Sequence, residues 1–218
     1  MNDHEELKCT WDDKADETVF VEELQATIGF HRFEEIRRRG KLCDVTLEVC
    51  GRRISAHRLV LAAIIPYFDG MFLNQMSENF SREITIKDAN PDAFDALVSF
   101  AYTGRLKIST TNVQALFVTS SFLQMTSVFS ACSDFLANRI CLSNVLTLRD
   151  LGKSFACQKL VDACDRYINT HFSQVSNLTE FLSLPLEEVL FMLSRDQLFV
   201  KHEETVYCAG IRWVSLHE

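Results

Sequence analysis

Residues 42–56 constrain the fold more than any other segment, because they have the pattern of two strands joined by a tight turn. Apolar and polar residues alternate from Asp44 to Val49, as in a strand with one buried face. Cys50 and Gly51 supply the turn, and RRIS supplies the returning strand. REITI, at 82–86, has the same strand-like composition. The sequence therefore predicts a small sheet near the N-terminal end of the chain.

The rest of the chain carries helical patterns. Only 7 Gly and 3 Pro occur in 218 residues, which leaves little material for tight turns. Asn90-Pro91-Asp92 is a strong helix start, and Gly40 and Gly104 are expected helix ends. After Cys141 no strand pattern remains. The predicted fold class is an α+β domain with a small sheet flanked by helices, at 20–137, followed by an all-α domain at 138–218. Helices are expected at 19–39, 57–64, 66–76, 91–103, 111–123, 126–139 and several places after 143.

Charge is concentrated at the N-terminus. Residues 1–25 hold nine carboxylates and two lysines, so they carry −7 of the total charge of −8. We expect residues 1–19 to form a disordered acidic leader. The remaining chain is nearly neutral and has no basic patch, which argues against direct binding of nucleic acid.

Other global features argue against membrane insertion and secretion. The longest uninterrupted apolar run, Leu59–Ile65, is too short to span a bilayer, and the N-terminus lacks a secretory signal pattern. Eight cysteines are scattered without a C-x-x-C motif, which is typical of reduced thiols. We therefore expect a cytoplasmic protein, with the nucleus as a second compartment, and no membrane partner.

His57 is the first candidate for chemistry, because a histidine beside an arginine can act as a base, a metal ligand or a phosphate contact. No second ligand or nucleophile lies near it in sequence, so a structural residue at the start of a helix is favoured. Cys157 and Cys164 lie among apolar residues and are interpreted as core positions. The sequence predicts no catalytic residue, no metal site and no cofactor.

Asp44 and Arg58 are a second candidate pair. If both are buried they must meet, because an unpaired buried charge costs several kcal/mol. If both reach solvent they need no partner. Spacing alone leaves these two interpretations open.

Longer motifs identify a family. LCDVTLEVCGRRISAHRLVLAA, followed by PYFDGMF and FAYTG, resembles the BTB/POZ domain over residues 20–137. SNVLTLRDLGKSFACQKLVDACDRYINTHF, FLSLP, SRDQLFV and ETVYCAGIRWV resemble the BACK region of kelch-like proteins over residues 138–218. By this resemblance the chain ends inside the BACK domain, so we expect an incomplete BACK domain and no kelch repeats.

The resemblance implies a protein-interaction module that forms homodimers. The matching positions of the dimer interface are Phe30, Phe33 and Ile36. Family members place an acid and an arginine at the positions of Asp44 and Arg58, where they form a charged pocket at the dimer interface. This favours pairing over the solvent-exposed alternative.

The resemblance also implies a substrate adaptor of a cullin-3 RING ubiquitin ligase rather than an enzyme. The expected cullin-3 contacts are Met76, Ser77 and Glu78, with Tyr102 on the same surface. Residues 143–172 match the 3-box, which extends that contact. A protein substrate would bind the missing C-terminal repeats. The alternative is a BTB oligomerisation module of a structural or transcription-regulatory protein.

One departure from the family concerns stability. Ile65 stands before Pro66 where serine is usual, and loss of that N-cap is expected to cost about 1 kcal/mol. Asn79, after Glu78, also replaces a common serine.

Overall fold

The computed structural model describes residues 25–73, 81–200 and 202–217. Within these ranges the strands are β1 (Val45–Val49), β2 (Arg52–Ala56) and β3 (Glu83–Ile86). The N-terminal helices are α1 (Gln25–Arg38), α2 (Arg58–Ile64), α3 (Pro66–Leu73), α4 (Pro91–Thr103), α5 (Val113–Phe122) and α6 (Thr126–Ala137). The C-terminal helices are α7 (Val145–Ser154), α8 (Gln158–Val175), α9 (Thr179–Leu182), α10 (Leu186–Leu193) and α11 (Glu204–Val214).

The sheet has the order β2-β1-β3, with β1 antiparallel to β2 and parallel to β3. Leu47 on the central strand pairs with Ile54 on one side and Ile84 on the other. All three side chains are buried, because the alternation in sequence places every second residue of each strand on the face that the helices cover. The predicted strand pair and the predicted third strand are therefore confirmed.

The helix ends follow the sequence signals. The Asn90 side chain accepts a hydrogen bond from the Ala93 N–H at 2.9 Å and caps α4, with Pro91 at its first position. Gly104 ends the same helix in the left-handed conformation, with φ of 63°. Gly40 follows α1 with the same φ. These three predictions are confirmed.

The described residues of the C-terminal part form helices joined by loops and contain no strand, as the sequence predicts. Its longest helix, α8, is kinked at His171, whose φ and ψ of −116° and 24° are non-helical. The kink is accompanied by a stacked contact between the His171 and Tyr167 rings, 4.2 Å apart. The expected core cysteines, Cys157 and Cys164, are buried. The seven cysteines that the structure describes form no disulfide.

The α+β domain and the helical domain share one core. Phe117 on α5 contacts Phe155, after α7, edge-to-face with ring centroids 5.6 Å apart. The buried Ser133 hydroxyl on α6 lies 3.2 Å from the Cys157 thiol at the start of α8. These contacts pack the two domains directly against each other.

Ile65, which stands where the family usually has serine, contributes to the stability of the fold through burial. Its side chain is completely buried between α2 and α3, next to the equally buried Phe68. Full burial of an isoleucine contributes about 1.5–3 kcal/mol, which offsets the loss of a capping hydroxyl. The expected cost of about 1 kcal/mol for the missing cap stays a prediction.

The described helices include none that is both long enough and apolar enough to cross a membrane.

Candidate protein-interaction surfaces

Helix α1 packs with its charged side inward. Glu34 is 6% exposed and Arg37 8%, whereas Phe33 is 43% exposed and Ile28 52%. An amphipathic helix on the surface of a domain usually buries its apolar residues and exposes its charged ones. The helix therefore has an inverted orientation on the domain, and its exposed apolar residues lie on the outside.

A buried ion pair holds this orientation. The Glu34 carboxylate accepts from Arg37 Nε at 2.7 Å and from Nη2 at 2.9 Å, which is a bidentate pairing. Arg37 Nη2 also donates to the Ser99 hydroxyl on α4 at 2.9 Å. The guanidinium lies over the Tyr102 ring, 5.1 Å from its centroid. Arg38 adds a second cation, 2.7 Å from Glu34.

The ion pair changes the pKa of both partners. Burial would raise the pKa of Glu34, but the hydrogen bonds and charges of Arg37 and Arg38 outweigh it and lower the pKa. Burial would lower the pKa of Arg37, but the Glu34 carboxylate outweighs it and raises the pKa. Both groups are therefore charged at neutral pH. Sequence reasoning missed this pair, although the three-residue spacing of the two charges was a signal for it.

The three predicted dimer residues on α1 differ in exposure. Phe33 is exposed, and Phe30 and Ile36 are half-buried. Phe30 packs against the core and also against Phe33, edge-to-face with centroids 5.7 Å apart. Two further apolar residues outside α1 are highly exposed: Leu42, at 82%, and Leu59, at 80%.

His57 is a structural residue that opens α2, as the sequence analysis favoured. Its backbone N–H donates to the Tyr102 hydroxyl at 2.8 Å, and its Nδ1 lies 3.0 Å from the same oxygen. Its Nε2 lies 3.2 Å from the Lys41 carbonyl, which can only accept. The network assigns the proton to Nε2, so Tyr102 donates to Nδ1. No cluster of three metal-binding side chains occurs among the described residues.

Tyr102 is 1% exposed, so it lies beneath the surface on which the sequence placed it. Burial raises its pKa to about 12, against the smaller opposing effect of the His57 N–H. The other three predicted cullin-3 contacts, Met76, Ser77 and Glu78, lie outside the described residues, as does Asn79.

Asp44 and Arg58 meet, but through a different contact from the one expected. Asp44 Oδ1 accepts from the backbone N–H of Arg58 at 2.8 Å, which satisfies the first free N–H of α2. The Arg58 guanidinium instead donates to the Ser81 carbonyl and lies over the Phe72 ring. Within the described ranges, no ion pair joins the two side chains. Asp44 is exposed and Arg58 is half-buried in the single chain.

An aromatic pair that the sequence analysis did not single out lies where α3 meets the end of α5. The Tyr67 and Phe122 rings are 4.7 Å apart, and Phe122 is 43% exposed. The backbone N–H of Tyr67 donates to the Leu123 carbonyl at 3.4 Å, which ties the two helices together. Exposed aromatic residues on rigid helices are typical of protein-binding surfaces.

A second buried arginine organises the helical domain. Arg149 on α7 is 3% exposed and contacts Asp165 on α8 and Glu188 on α10, both at 2.6 Å. Arg195 also pairs with Asp165, at 2.7 Å. Burial would lower the pKa of Arg149, but the two carboxylates outweigh it and raise the pKa. The charges tie α10 to α7 and α8.

Two sequence profiles match the chain. The BTB/POZ domain profile matches residues 33–140, and the profile described as BTB And C-terminal Kelch matches residues 145–218. Kelch-like protein 17 of Mus musculus is 42% identical over 187 residues, covering 86% of this chain and 29% of that protein. Kelch-like protein 7 of Rattus norvegicus is 39% identical over 198 residues, covering 90% and 34%. The chain thus spans about a third of the length of these relatives.

A solved structure agrees with this match. The BTB domain of zebrafish PATZ1 superposes with a TM-score of 0.50 at 26% identity, covering 55% of this chain and 98% of that one. Among the kelch-like proteins, we predict the greatest similarity to kelch-like protein 18, on the segments EEIRRRGKLCDVTL and SAHRLVLAAIIPYF. This stays a prediction, because the relatives just given are other members. The predicted small sheet flanked by helices, followed by a helical region, is confirmed. The chain therefore consists largely of a BTB/POZ domain followed by a BACK domain, and over these two domains it is similar to the kelch-like proteins.

Proposed function

We propose that this chain is the homodimeric adaptor region of a cullin-3 RING ubiquitin ligase. The observation that carries the proposal is the inverted orientation of α1, which exposes Phe33 and Ile28 while two charges are buried. Such an arrangement lowers the solubility of a lone subunit and favours a protein partner. Similarity to the kelch-like proteins supports cullin-3 as the further partner.

The dimer contact is assigned to the outer face of α1, with Phe30, Phe33 and Ile36 as its core. A symmetric dimer needs a self-complementary surface, and an apolar helix face satisfies this without matched charges. Leu42, four residues after α1, is also highly exposed. In this proposal Asp44 and Arg58 lie at the edge of the contact.

The cullin-3 contact is assigned to Met76, Ser77 and Glu78. A methionine adapts to an apolar pocket, and a carboxylate two residues later fixes register through charge-assisted hydrogen bonds. Tyr102 is buried, so its role in this proposal is to support the surface through His57 rather than to touch cullin. We also assign to cullin-3 the exposed Phe122, which packs on Tyr67. The 3-box, residues 143–172, extends it along α7 and α8.

Substrate recognition is assigned to kelch repeats rather than to the BTB and BACK regions. The relatives are about three times as long as the matched region. In this proposal a protein substrate binds kelch repeats, and the BTB and BACK regions contribute dimerisation and cullin binding.

The test is co-precipitation of purified cullin-3 with the wild-type chain and with a Met76→Asp, Glu78→Ala double variant. Strong binding by the wild type and weak binding by the variant would support both function and surface. Glu187→Ala, an exposed glutamate on α10, is the control and should bind normally. Equal binding by both chains would reject the surface. No binding by a folded wild-type dimer would reject the cullin role in favour of an oligomerisation module.

A further inference from the structure

We infer that a cavity beside the C-terminal end of α1 binds the phosphate group of a phosphoserine or phosphothreonine in a protein partner. The cavity has a volume of about 290 Å³ and lies between α1, β2 and α4. This volume is at the lower limit for ligand pockets, so it suits one charged group better than a large cofactor. The inference does not depend on the proposed function.

The fold brings two short runs of arginine together in this cavity. Arg37 and Arg38 come from the last turn of α1, and Arg52 and Arg53 from the start of β2. Asp95, on α4, is the one acidic residue of the lining, so the lining residues have a formal charge of +3. A cleft lined mainly by one sign of charge attracts ligands of the opposite sign.

The two arginines of α1 have different roles. Arg37 is buried and bonded through two nitrogens to the Glu34 carboxylate, so it forms a fixed wall. Arg38 shares the same carboxylate, so one acid serves two cations. The Arg38 side chain is 70% exposed, and within the described ranges only its Nε is bonded. Its two terminal nitrogens are therefore available to an anion.

The two arginines of β2 are held by weak surface contacts. Arg52 pairs with Asp92 at 2.6 Å, and Arg53 pairs with Glu83, but all four side chains are between 46% and 80% exposed. Exposed ion pairs contribute little to stability. A phosphate dianion can therefore recruit both guanidinium groups, and the planar fork of arginine matches the spacing of its oxygens.

The edge of β2 adds a backbone donor. Thr46 on β1 donates its N–H to Arg82, on the β3 side, so Thr46 and Ser55 face each other as a pair without hydrogen bonds. The N–H and C=O of Ser55 therefore point away from β1. The carbonyl accepts from Arg37 Nη1 at 3.4 Å, and the N–H lies on the same side, next to the cavity that Ser55 lines.

The distribution of charge favours one phosphate on a protein over a membrane or a nucleic acid. Those two present rows of phosphates and bind best to broad basic surfaces. Here Asp95 bounds the cavity, and Asp92 adds an exposed carboxylate on the same helix. The whole chain has a net charge of −8. A single phosphorylated side chain fits this arrangement, because clusters of arginine recognise such groups in many protein domains.

The test is a titration with a capped peptide of alanine and glycine that carries one central phosphoserine. Nuclear magnetic resonance signals of the Arg53 and Ser55 amides should shift with this peptide and stay unchanged with its serine counterpart. An Arg38→Gln, Arg53→Gln double variant should bind at least tenfold more weakly, because charge-assisted hydrogen bonds are lost. Arg105→Gln, at an exposed arginine outside the cavity, should bind like the wild type. Circular dichroism shows whether each variant is folded.

The alternative sources of phosphate are tested in parallel. Vesicles that contain phosphatidylinositol phosphates should not bind, and inorganic phosphate should displace the peptide only at much higher concentration. Binding of the vesicles without the peptide would assign the cavity to a lipid headgroup and overturn the inference. Equal binding of the two peptides, wild-type affinity in the folded double variant, or equal affinity for inorganic phosphate would overturn it as well.

Discussion

Glu34 and Arg37 form a bidentate ion pair on the buried side of α1, whereas Phe33, next to Glu34 in sequence, is exposed. The pair is closed from solvent by α4, whose Ser99 and Tyr102 contact the guanidinium. Charge therefore decides which face of the helix is internal. The apolar face is left for a partner.

Replacement of Glu34 should be costly. Glu34→Ala leaves Arg37 as a buried cation with only neutral oxygen acceptors, and removal of one partner of a buried pair costs about 3–5 kcal/mol. We expect a loss near the lower limit, since the Ser99 hydroxyl and the Ser55 carbonyl still accept from Arg37. Urea unfolding measures it. Glu35→Ala, at the exposed neighbouring position, should change stability little, and equal losses in both variants would contradict the buried-pair assignment.

The same pair predicts a dependence of stability on pH. The pKa of Glu34 in the folded chain lies below its ordinary value of 4.5, so the charged form stabilises the fold. This contribution is complete above pH 4.5 and is lost as pH falls through the lower, folded value. The difference in unfolding free energy between wild type and Glu34→Gln should shrink as the solution is acidified below 4.5. A difference that stays constant would exclude this ionisation.

Asp44 offers a test of capping against ion pairing. Asp44→Asn keeps an oxygen that can accept from the Arg58 N–H, whereas Asp44→Ala removes it. If capping dominates, the alanine variant should lose about 1 kcal/mol and the asparagine variant a few tenths, mainly through the helix dipole. Thermal unfolding measures both. Equal losses would instead indicate that the charge itself matters, as in a paired dimer pocket.

The exposed face of α1 predicts the oligomeric state. Phe33→Glu should convert a dimer into a monomer, because it places a charge in the centre of the proposed apolar contact. The monomer should remain folded, since Phe33 contributes little to the core of its own chain. Light scattering and circular dichroism together measure this. Arg32→Glu, also exposed on α1, controls for charge alone, and a Phe33→Glu protein that is still dimeric at low micromolar concentration would reject this interface.

Close packing of α7 and α8 predicts an effect at Gly152. A methyl group there would lie 3.0 Å from Val161 Cγ2 and 3.3 Å from the Val161 backbone nitrogen. We expect Gly152→Ala to destabilise the chain by about 1 kcal/mol, because overpacking outweighs the gain in helix propensity. Gly70→Ala, where no described residue outside the local helix backbone lies within 4 Å of the added methyl group, should be stabilising by several tenths of a kcal/mol. Thermal unfolding of both variants measures these changes in stability. Changes of the same sign in the two variants would contradict the prediction.

Sequence patterns predicted much of the fold, because local signals and burial agreed there. Alternation placed Leu47 and its neighbours inside the sheet, and Asn90 and Gly104 marked the ends of α4. Within the part of the chain that the structure describes, the predicted helices differ from the observed ones mainly at their ends. His57 was correctly interpreted as the start of a helix, since it lacked the partners that catalysis or metal binding requires.

The interaction surfaces were harder to predict, because they depend on contacts between distant segments. Periodicity cannot show that Arg37 is buried, since its acceptor Ser99 lies 62 residues away. For the same reason the contacts of Arg58 could not be predicted, since its partners Phe72 and Ser81 are 14 and 23 residues away in the sequence. Tyr102 was expected on the surface, but its hydroxyl is needed at the start of α2.

The ion pair beneath α1 also has a consequence for how this sequence can change over generations. A substitution at Glu34 alone or at Arg37 alone passes through a chain with an uncompensated internal charge, whereas an apolar replacement of both together avoids that intermediate. We therefore expect Glu34 and Arg37 either to be replaced together or to remain unchanged. Exposed positions such as Glu35 carry no such restriction, so the tolerance to random substitution should vary along this helix with its period of three to four residues.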